Sequence, residues 1–295
     1  MLNRRFCLCF ISLLCTLASS KAGSLVQIFT GLGEIDLELF DQEKPKTVQN
    51  FIRLAQAGYF EGSFFHRCVP GFVLQGGGFG SFNPASTGIF GPPWTYTFSV
   101  PNFGTITNEF SVGPFRSNTY GTVAMAKNSD PNSATSQFFI NLADNSGPLD
   151  NPTNSGGFTV FGRVVRGTNI LNQFNGISKG HNLVDLRDSF GTNDPTTSLF
   201  STLPTYALGT NAPPYNQLIY FSASVLTVHA IARGDKTVEI SWNSVNAMTN
   251  FVEFTPSFPP SWQSLAATNG TGTTIKVTDS DTNATQRFYR IRVAY

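Results

Sequence analysis

Residues 64–78 read FFHRCVPGFVLQGGG, and the fold turns on this stretch. It reads as strand, turn and strand around Pro70-Gly71, which brings Arg67, Phe72 and Gln75 close together. A second stretch, residues 134–143 (ATSQFFINLA), sets Gln137 and Phe139 two apart, on one face of a strand. One cation, several aromatics and two amides stand here without a nucleophile–base pair. Such a set suits binding and polarising an amide rather than cleaving it.

Outward from this centre, Val26–Phe29 and Ile35–Phe40 alternate around Gly31-Leu32-Gly33 and predict a hairpin. Lys44-Pro45-Lys46 opens a helix with Val48, Phe51, Ile52, Leu54 and Ala55 on its apolar face, closed by Gly58. Strands are expected at 121–126, 137–141, 158–165 and 217–228, and a second short helix at 169–174. Residues 81–105 and 178–214 read as long irregular connections. From His229 the chain becomes short alternating strands at sandwich spacing, around Val238–Trp242, Phe251–Phe254, Thr273–Val277 and Phe288–Val293. The tail, 229–295, is therefore expected to be a small all-β module.

The first twenty residues, MLNRRFCLCFISLLCTLASS, read as a secretory signal peptide. Arg4 and Arg5 form the basic start, 6–18 the apolar run and Ala18-Ser19-Ser20 the small-residue cleavage site. The apolar run is short for a membrane span, so no membrane-crossing segment is expected after cleavage. Removal takes two arginines and no acids, so 17 bases would face 18 acids. Cys7, Cys9 and Cys15 would leave with the leader. Cys68 then stands alone and is expected as a small buried apolar residue in a strand. Across 295 residues, 13% are charged and the net charge is +1, which gives no basic face for nucleic acid. A composition 40% hydrophobic, with 28 Phe, belongs to a packed globular chain.

With these residues in place, the chain resembles the cyclophilin peptidyl-prolyl cis-trans isomerases, most of all the exported bacterial type. FFHRCVPGFVLQGGGF at 64–79 matches the family's first signature, GTVAMAKNSDPNSATSQFFINLADN at 121–145 its second, and GFTVFGRVVRG at 157–167 the strand that follows. The resemblance spans about residues 25–228 and implies a mainly β fold: a closed eight-stranded antiparallel barrel capped by two helices, over 24–228. It also implies rotation of Xaa-Pro bonds in exported proteins, with no cofactor and no metal. Arg67 corresponds to the family's catalytic arginine. Phe72, Val73, Gln75, Ala126, Lys127, Gln137, Phe139, Leu149 and Phe158 correspond to its substrate groove. Phe72, Phe139, Leu149 and Phe158 would line the pocket for the proline ring. The family's groove tryptophan is absent, with Pro148 at the aligned position, so weak cyclosporin binding is expected. Phe158 stands where the family's best-known members carry a histidine, and Lys127 where many carry Asn or Arg.

The physical need for that set is direct. The amide resists rotation by ~18–20 kcal/mol because the nitrogen lone pair is delocalised. Twisting makes the prolyl nitrogen basic, and an always-charged guanidinium can donate to it. His66, His181 and His229 are scattered without metal-ligand spacing. Gly76-Gly77-Gly78 lacks the Lys-Ser/Thr of a phosphate loop and reads as a tight crossing. The tail resembles a fibronectin type III-like sandwich around Trp242. The expected product is a monomer acting on proline-containing segments of folding client proteins, in the periplasm or at the cell surface. The other reading open at this point is a non-catalytic peptide-holding chaperone or cell-surface adhesion scaffold.

Overall fold

Val26 and Ile28 on β1 (Leu25–Thr30) face Leu37 and Ile35 on β2 (Gly33–Leu39), and all four are fully buried. This hairpin is seen in a computed structural model that describes residues 24–90, 96–192, 197–226, 228–244, 249–257, 260–271, 273–281 and 286–294. The expected leader at 1–20 lies outside the described residues.

After the hairpin comes α1 (Pro45–Gln56), with proline in its first turn and Gly58 just past its end in the left-handed region at φ +70°. Val48, Phe51 and Leu54 lie buried against the sheet. The cap residue Lys44 gives no side-chain bond to the helix start. Glu109, far along the chain, does so instead. Its carboxylate accepts from the backbone N–H of Lys46 (3.1 Å) and Thr47 (2.8 Å) and from the Thr47 hydroxyl (2.7 Å). A carboxylate suits this place because the first N–H groups of a helix have no internal acceptor and carry its positive dipole end. Lys44 is itself buried, and its Nζ donates to the backbone carbonyls of Glu109 (3.0 Å) and Val112. Burial lowers the Lys44 pKa, and the charge of Glu109 works against that shift.

The chain continues through β3 (Ser63–Phe64), β4 (Arg67–Val69), β5 (Val73–Gly76), β6 (Phe79–Ser81), β7 (Thr97–Ser99), β8 (Thr122–Met125) and β9 (Phe138–Asn141). Then follow α2 (Ser146–Leu149), β10 (Val160–Arg166), α3 (Thr168–Asn175), β11 (Ser178–Val184), α4 (Leu186–Phe190), β12 (Leu203–Gly209) and β13 (Tyr220–Leu226). Eleven of these strands form one curled antiparallel sheet in the order β4-β5-β9-β8-β10-β2-β1-β13-β3-β6-β7. The fold is thus mainly β with few helices. Against the eight strands expected, the count is eleven, partly because short breaks divide the chain. Gly77-Gly78 separates β5 from β6, and Phe65-His66 separates β3 from β4. At Gly77 φ is +75°, and a Cβ there would lie 2.5 Å from the Ser136 carbonyl oxygen, so only glycine makes the crossing. The two helices expected are α1 and α3; the described residues add the short α2 and α4.

Both stretches expected to be irregular carry structure. Residues 81–105 contain β7, and 178–214 contain β11 paired with β12, together with α4. Their apolar residues were hidden among Gly, Pro, Ser and Thr, yet they condense into a second core. Phe90 packs on Tyr215 (ring centroids 4.9 Å) and Phe200 (5.4 Å), beside Val184, Leu186 and Leu203 and against Phe64 of the sheet. Beyond β13 lie β14 (Val228–Ala232), β15 (Val238–Asn243), β16 (Thr249–Thr255), β17 (Gln263–Asn269), β18 (Thr274–Asp279) and β19 (Phe288–Ala294). They form two three-stranded sheets, β14-β15-β18 and β17-β16-β19, around Ile240, Trp242 and Val252. Trp242 Nε1 donates to Asn250 Oδ1 at 3.1 Å within that core. Among the described residues no helix is long and apolar enough to cross a membrane.

Replacing Glu109 by Ala should lower the unfolding free energy by about 2–4 kcal/mol, because it strips three donors of their acceptor beside a buried ammonium. Urea unfolding of both proteins checks this, and an unchanged midpoint would refute the capping role.

Candidate active site

Strand register builds the site. Arg67 pairs with Gln75 across β4–β5, Gln75 with Phe139 across β5–β9, Phe139 with Ala124 across β9–β8, and Ala124 with Val160 across β8–β10. Paired residues put their side chains on one face of a sheet. The intervening row, Cys68, Leu74, Ile140, Val123 and Phe161, lies in the main core behind it. Phe139, Val73, Ala124 and Val160 form an apolar floor, and Leu149 with the half-buried Phe72, Ala126 and Phe158 completes it as walls.

The turn between β4 and β5 places Phe72. Phe72 N–H donates to the Val69 carbonyl at 2.9 Å, with Pro70 and Gly71 at the corners and Gly71 at φ +72°. That is the type II pattern, in which the third position favours glycine. Asn175, at the end of α3, accepts from the Gly71 N–H at 2.8 Å and fixes the turn from outside.

Arg67, Phe72, Val73, Gln75, Ala126, Lys127, Phe139, Leu149 and Phe158 all line one open cleft of about 210 Å³. Gln137 lines an adjoining groove that shares Gln75, Ala126 and Lys127 with the cleft. Thus the ten residues singled out in the sequence come together. Gln75 Nε2 donates to Gln137 Oε1 at 2.8 Å, and Arg67 Nη1 lies 3.5 Å from Gln75 Oε1. The Arg67 guanidinium stands 5.8 Å from the centre of the Phe72 ring. Burial lowers its pKa from the ordinary value, yet a guanidinium remains charged at neutral pH. Among the described residues neither Arg67 nor Lys127 pairs with a carboxylate. Behind Arg67, burial pushes the Cys68 thiol up to about 12, so it stays protonated as an apolar wall.

A set of buried amides supports the walls, and no local pattern of residues announces it. Asn145 Nδ2 donates to the Phe72 carbonyl and to Asn141 Oδ1, both at 2.7 Å. Asn141 Nδ2 donates to Asn118 Oδ1 (3.1 Å), and Asn118 Nδ2 in turn to Asp150 Oδ1 (2.8 Å) and the Phe158 carbonyl (3.1 Å). Leu149 N–H donates to the Asn145 carbonyl, and Phe158 N–H to that of Leu149, each at 3.0 Å. Three walls of the cleft therefore hang on one polar chain. Only Asn141 and Asn145 fall inside the quoted signatures; Asn118 and Asp150 reach them through folding alone.

The model of the cyclophilin type peptidyl-prolyl cis-trans isomerases matches residues 25–189. A peptidyl-prolyl cis-trans isomerase of Acinetobacter baylyi is 37% identical over 156 residues, 53% of this chain and 74% of the relative. The Streptomyces antibioticus isomerase cyp18 is 39% identical over 160 residues, covering 53% and 86%. Peptidyl-prolyl cis-trans isomerase B of Escherichia coli is 35% identical over 162 residues, covering 53% and 87%. A crystal structure of a Cryptosporidium parvum cyclophilin type isomerase aligns over 69% of this chain and 99% of its own, with 22% identity and a TM-score of 0.42. The chain belongs to the cyclophilin type peptidyl-prolyl cis-trans isomerases, enzymes of class EC 5.2.1.8.

His66 sits behind the site, only 3% exposed, and among the described residues its Nδ1 finds no hydrogen-bond partner. Burial and then the nearby Arg67 charge lower its pKa from 6.5 to about 3. The unfolded chain binds this proton below its ordinary value and the folded one does not, so stability falls as pH drops from about 6.5 towards 3. Between pH 6 and 4, the unfolding free energy of the parent should fall more steeply than that of His66→Gln by about 1.4 kcal/mol per pH unit. Equal slopes in denaturant titrations across that range would refute it.

Proposed function

We propose that this chain is an exported prolyl isomerase in which Arg67 stabilises the twisted Xaa-Pro amide while Phe72, Phe139, Leu149 and Phe158 hold the proline ring. The observation that carries this reading is a guanidinium that has no carboxylate partner among the described residues, held at the rim of an apolar cleft. As the amide twists, the prolyl nitrogen regains its lone pair and accepts an N–H from Arg67. That contact strengthens towards the transition state, which is what lowers a barrier. The half-buried setting raises its worth, since fewer waters compete for the same donor. Gln75, tied to Gln137, and Val73, Ala126 and Lys127 grip the flanking backbone. The step is a rotation, and this reading assigns it no cofactor and no metal.

We read the eleven strands as a barrel of eight that closes through the break between β3 and β4. His66 N–H bonded to the Gln75 carbonyl (3.2 Å) and Phe65 N–H bonded to the Ile219 carbonyl (3.0 Å) support that closure. Residues 24–228 would form the isomerase domain and 229–295 a fibronectin type III-like module, with its buried Trp242 as support. Export, to the periplasm or the cell surface, rests on the 1–20 leader. Monomers acting on proline-containing segments of client proteins complete the reading.

The test is isomerisation of a short Xaa-Pro peptide followed by NMR exchange. The protein should accelerate it, and Arg67→Ala should lose about tenfold or more, equivalent to a transition-state contact of at least ~1.4 kcal/mol. A protein that binds the peptide without speeding exchange would replace this reading with the holding chaperone.

A further inference from the structure

Two cations face the cleft and its adjoining groove, and among the described residues no carboxylate lines either. Lys127 stands on the wall common to both. Its Nζ donates to the Ser155 carbonyl at 2.5 Å and lies 4.2 Å from the centre of the Phe158 ring, so the ammonium is held at the lip rather than swinging in water. An ammonium has three donors, and Ser155 takes one. The groove beyond it adds Asn128, Ser133, Thr135 and Gln137, all neutral. Asp130 is the acid that acts on Lys127, but its Oδ1 accepts from the Asn132 N–H within its own exposed turn. Several other cations are already matched with acids, for example Arg116 with Glu43 and Arg163 with Glu38.

We propose that Lys127 is a specificity-determining residue that recruits a carboxylate side chain, Glu or Asp, flanking the client proline, so that acidic Xaa-Pro segments are the preferred substrates. This rests on the isomerase reading and names its substrate class. The physics favours such a pair over an ordinary surface one. The lysine has already lost much of its rotamer freedom, and burial has removed part of its water, so an arriving anion meets a cation with little left to lose. Electrostatic attraction also raises the encounter rate with acidic segments.

The experiment compares kcat/KM for peptides carrying Glu or Gln at each position flanking the proline, in the parent and in Lys127→Gln and Lys127→Arg. The Glu-to-Gln ratio should reach about three to ten at one flanking position, weaken with added salt, fall to about one in Lys127→Gln and survive in Lys127→Arg. Because the readout is a ratio within each protein, a general loss of activity does not imitate it. Equal rates for Glu and Gln peptides at every position would overturn the inference and leave the isomerase standing. A preference that persists in Lys127→Gln would overturn it too, by assigning the effect to Arg67. If no peptide is isomerised, the isomerase reading falls, and this one with it.

Discussion

Register is the constraint on which the site depends. Arg67, Gln75, Phe139, Ala124 and Val160 follow one another across five strands, each paired with the next. A slip of one residue on any strand would turn its cleft residue into the core and bring Cys68, Leu74 or Ile140 out to solvent. The core forbids this, because those residues are fully buried and tightly packed. Hydrophobic burial on one face thus aims the polar and aromatic residues of the other. The functional face needs no specifying force of its own.

Walls that do not lie on strands need a different device. Phe72 sits after a turn, and Leu149 and Phe158 flank a loop, so only isolated backbone bonds reach them, such as that from Leu142 N–H to the Phe72 carbonyl (2.8 Å). Asn145, Asn141, Asn118 and Asp150 fix these walls by holding the carbonyls of Phe72 and Phe158 at defined distances. Buried amides are costly unless each finds a partner, which makes the arrangement all or nothing. Glu109 plays the same part for α1. Its carboxylate brings the loop before β8 down onto the start of the helix, while Lys44 holds the backbone of that loop.

What the sequence showed and what it hid divide along this line. The hairpin at 25–39, the helix closed by Gly58 and the second helix at 168–175 are local, written in alternation, helical period and end residues. Nine of the ten residues were legible because they sit inside three short contiguous motifs, and Leu149 lies between the second and the third. Glu109, Asn118 and Asp150 were not, since each acts on partners more than twenty positions away. The second core escaped for another reason. Phe90, Phe200 and Tyr215 are scattered among turn-forming residues, so neither connection shows a period, and only their meeting in space makes them a core.

That second core bears on the site through a backbone bond. β4, which carries Arg67, ends the sheet order, and an end strand has a row of unsatisfied backbone groups on its outer side. Arg67 and Val69 pair inward with β5, leaving the intervening Cys68 N–H pointing away, and it donates to the Thr202 carbonyl at 2.7 Å. Thr202 immediately precedes β12 and follows Phe200, a member of the second core, so that core fixes where its carbonyl stands. The inserted connection therefore completes the pairing of the strand that most needs to be still. It does so from the edge, and the face that presents Arg67 to a substrate stays open.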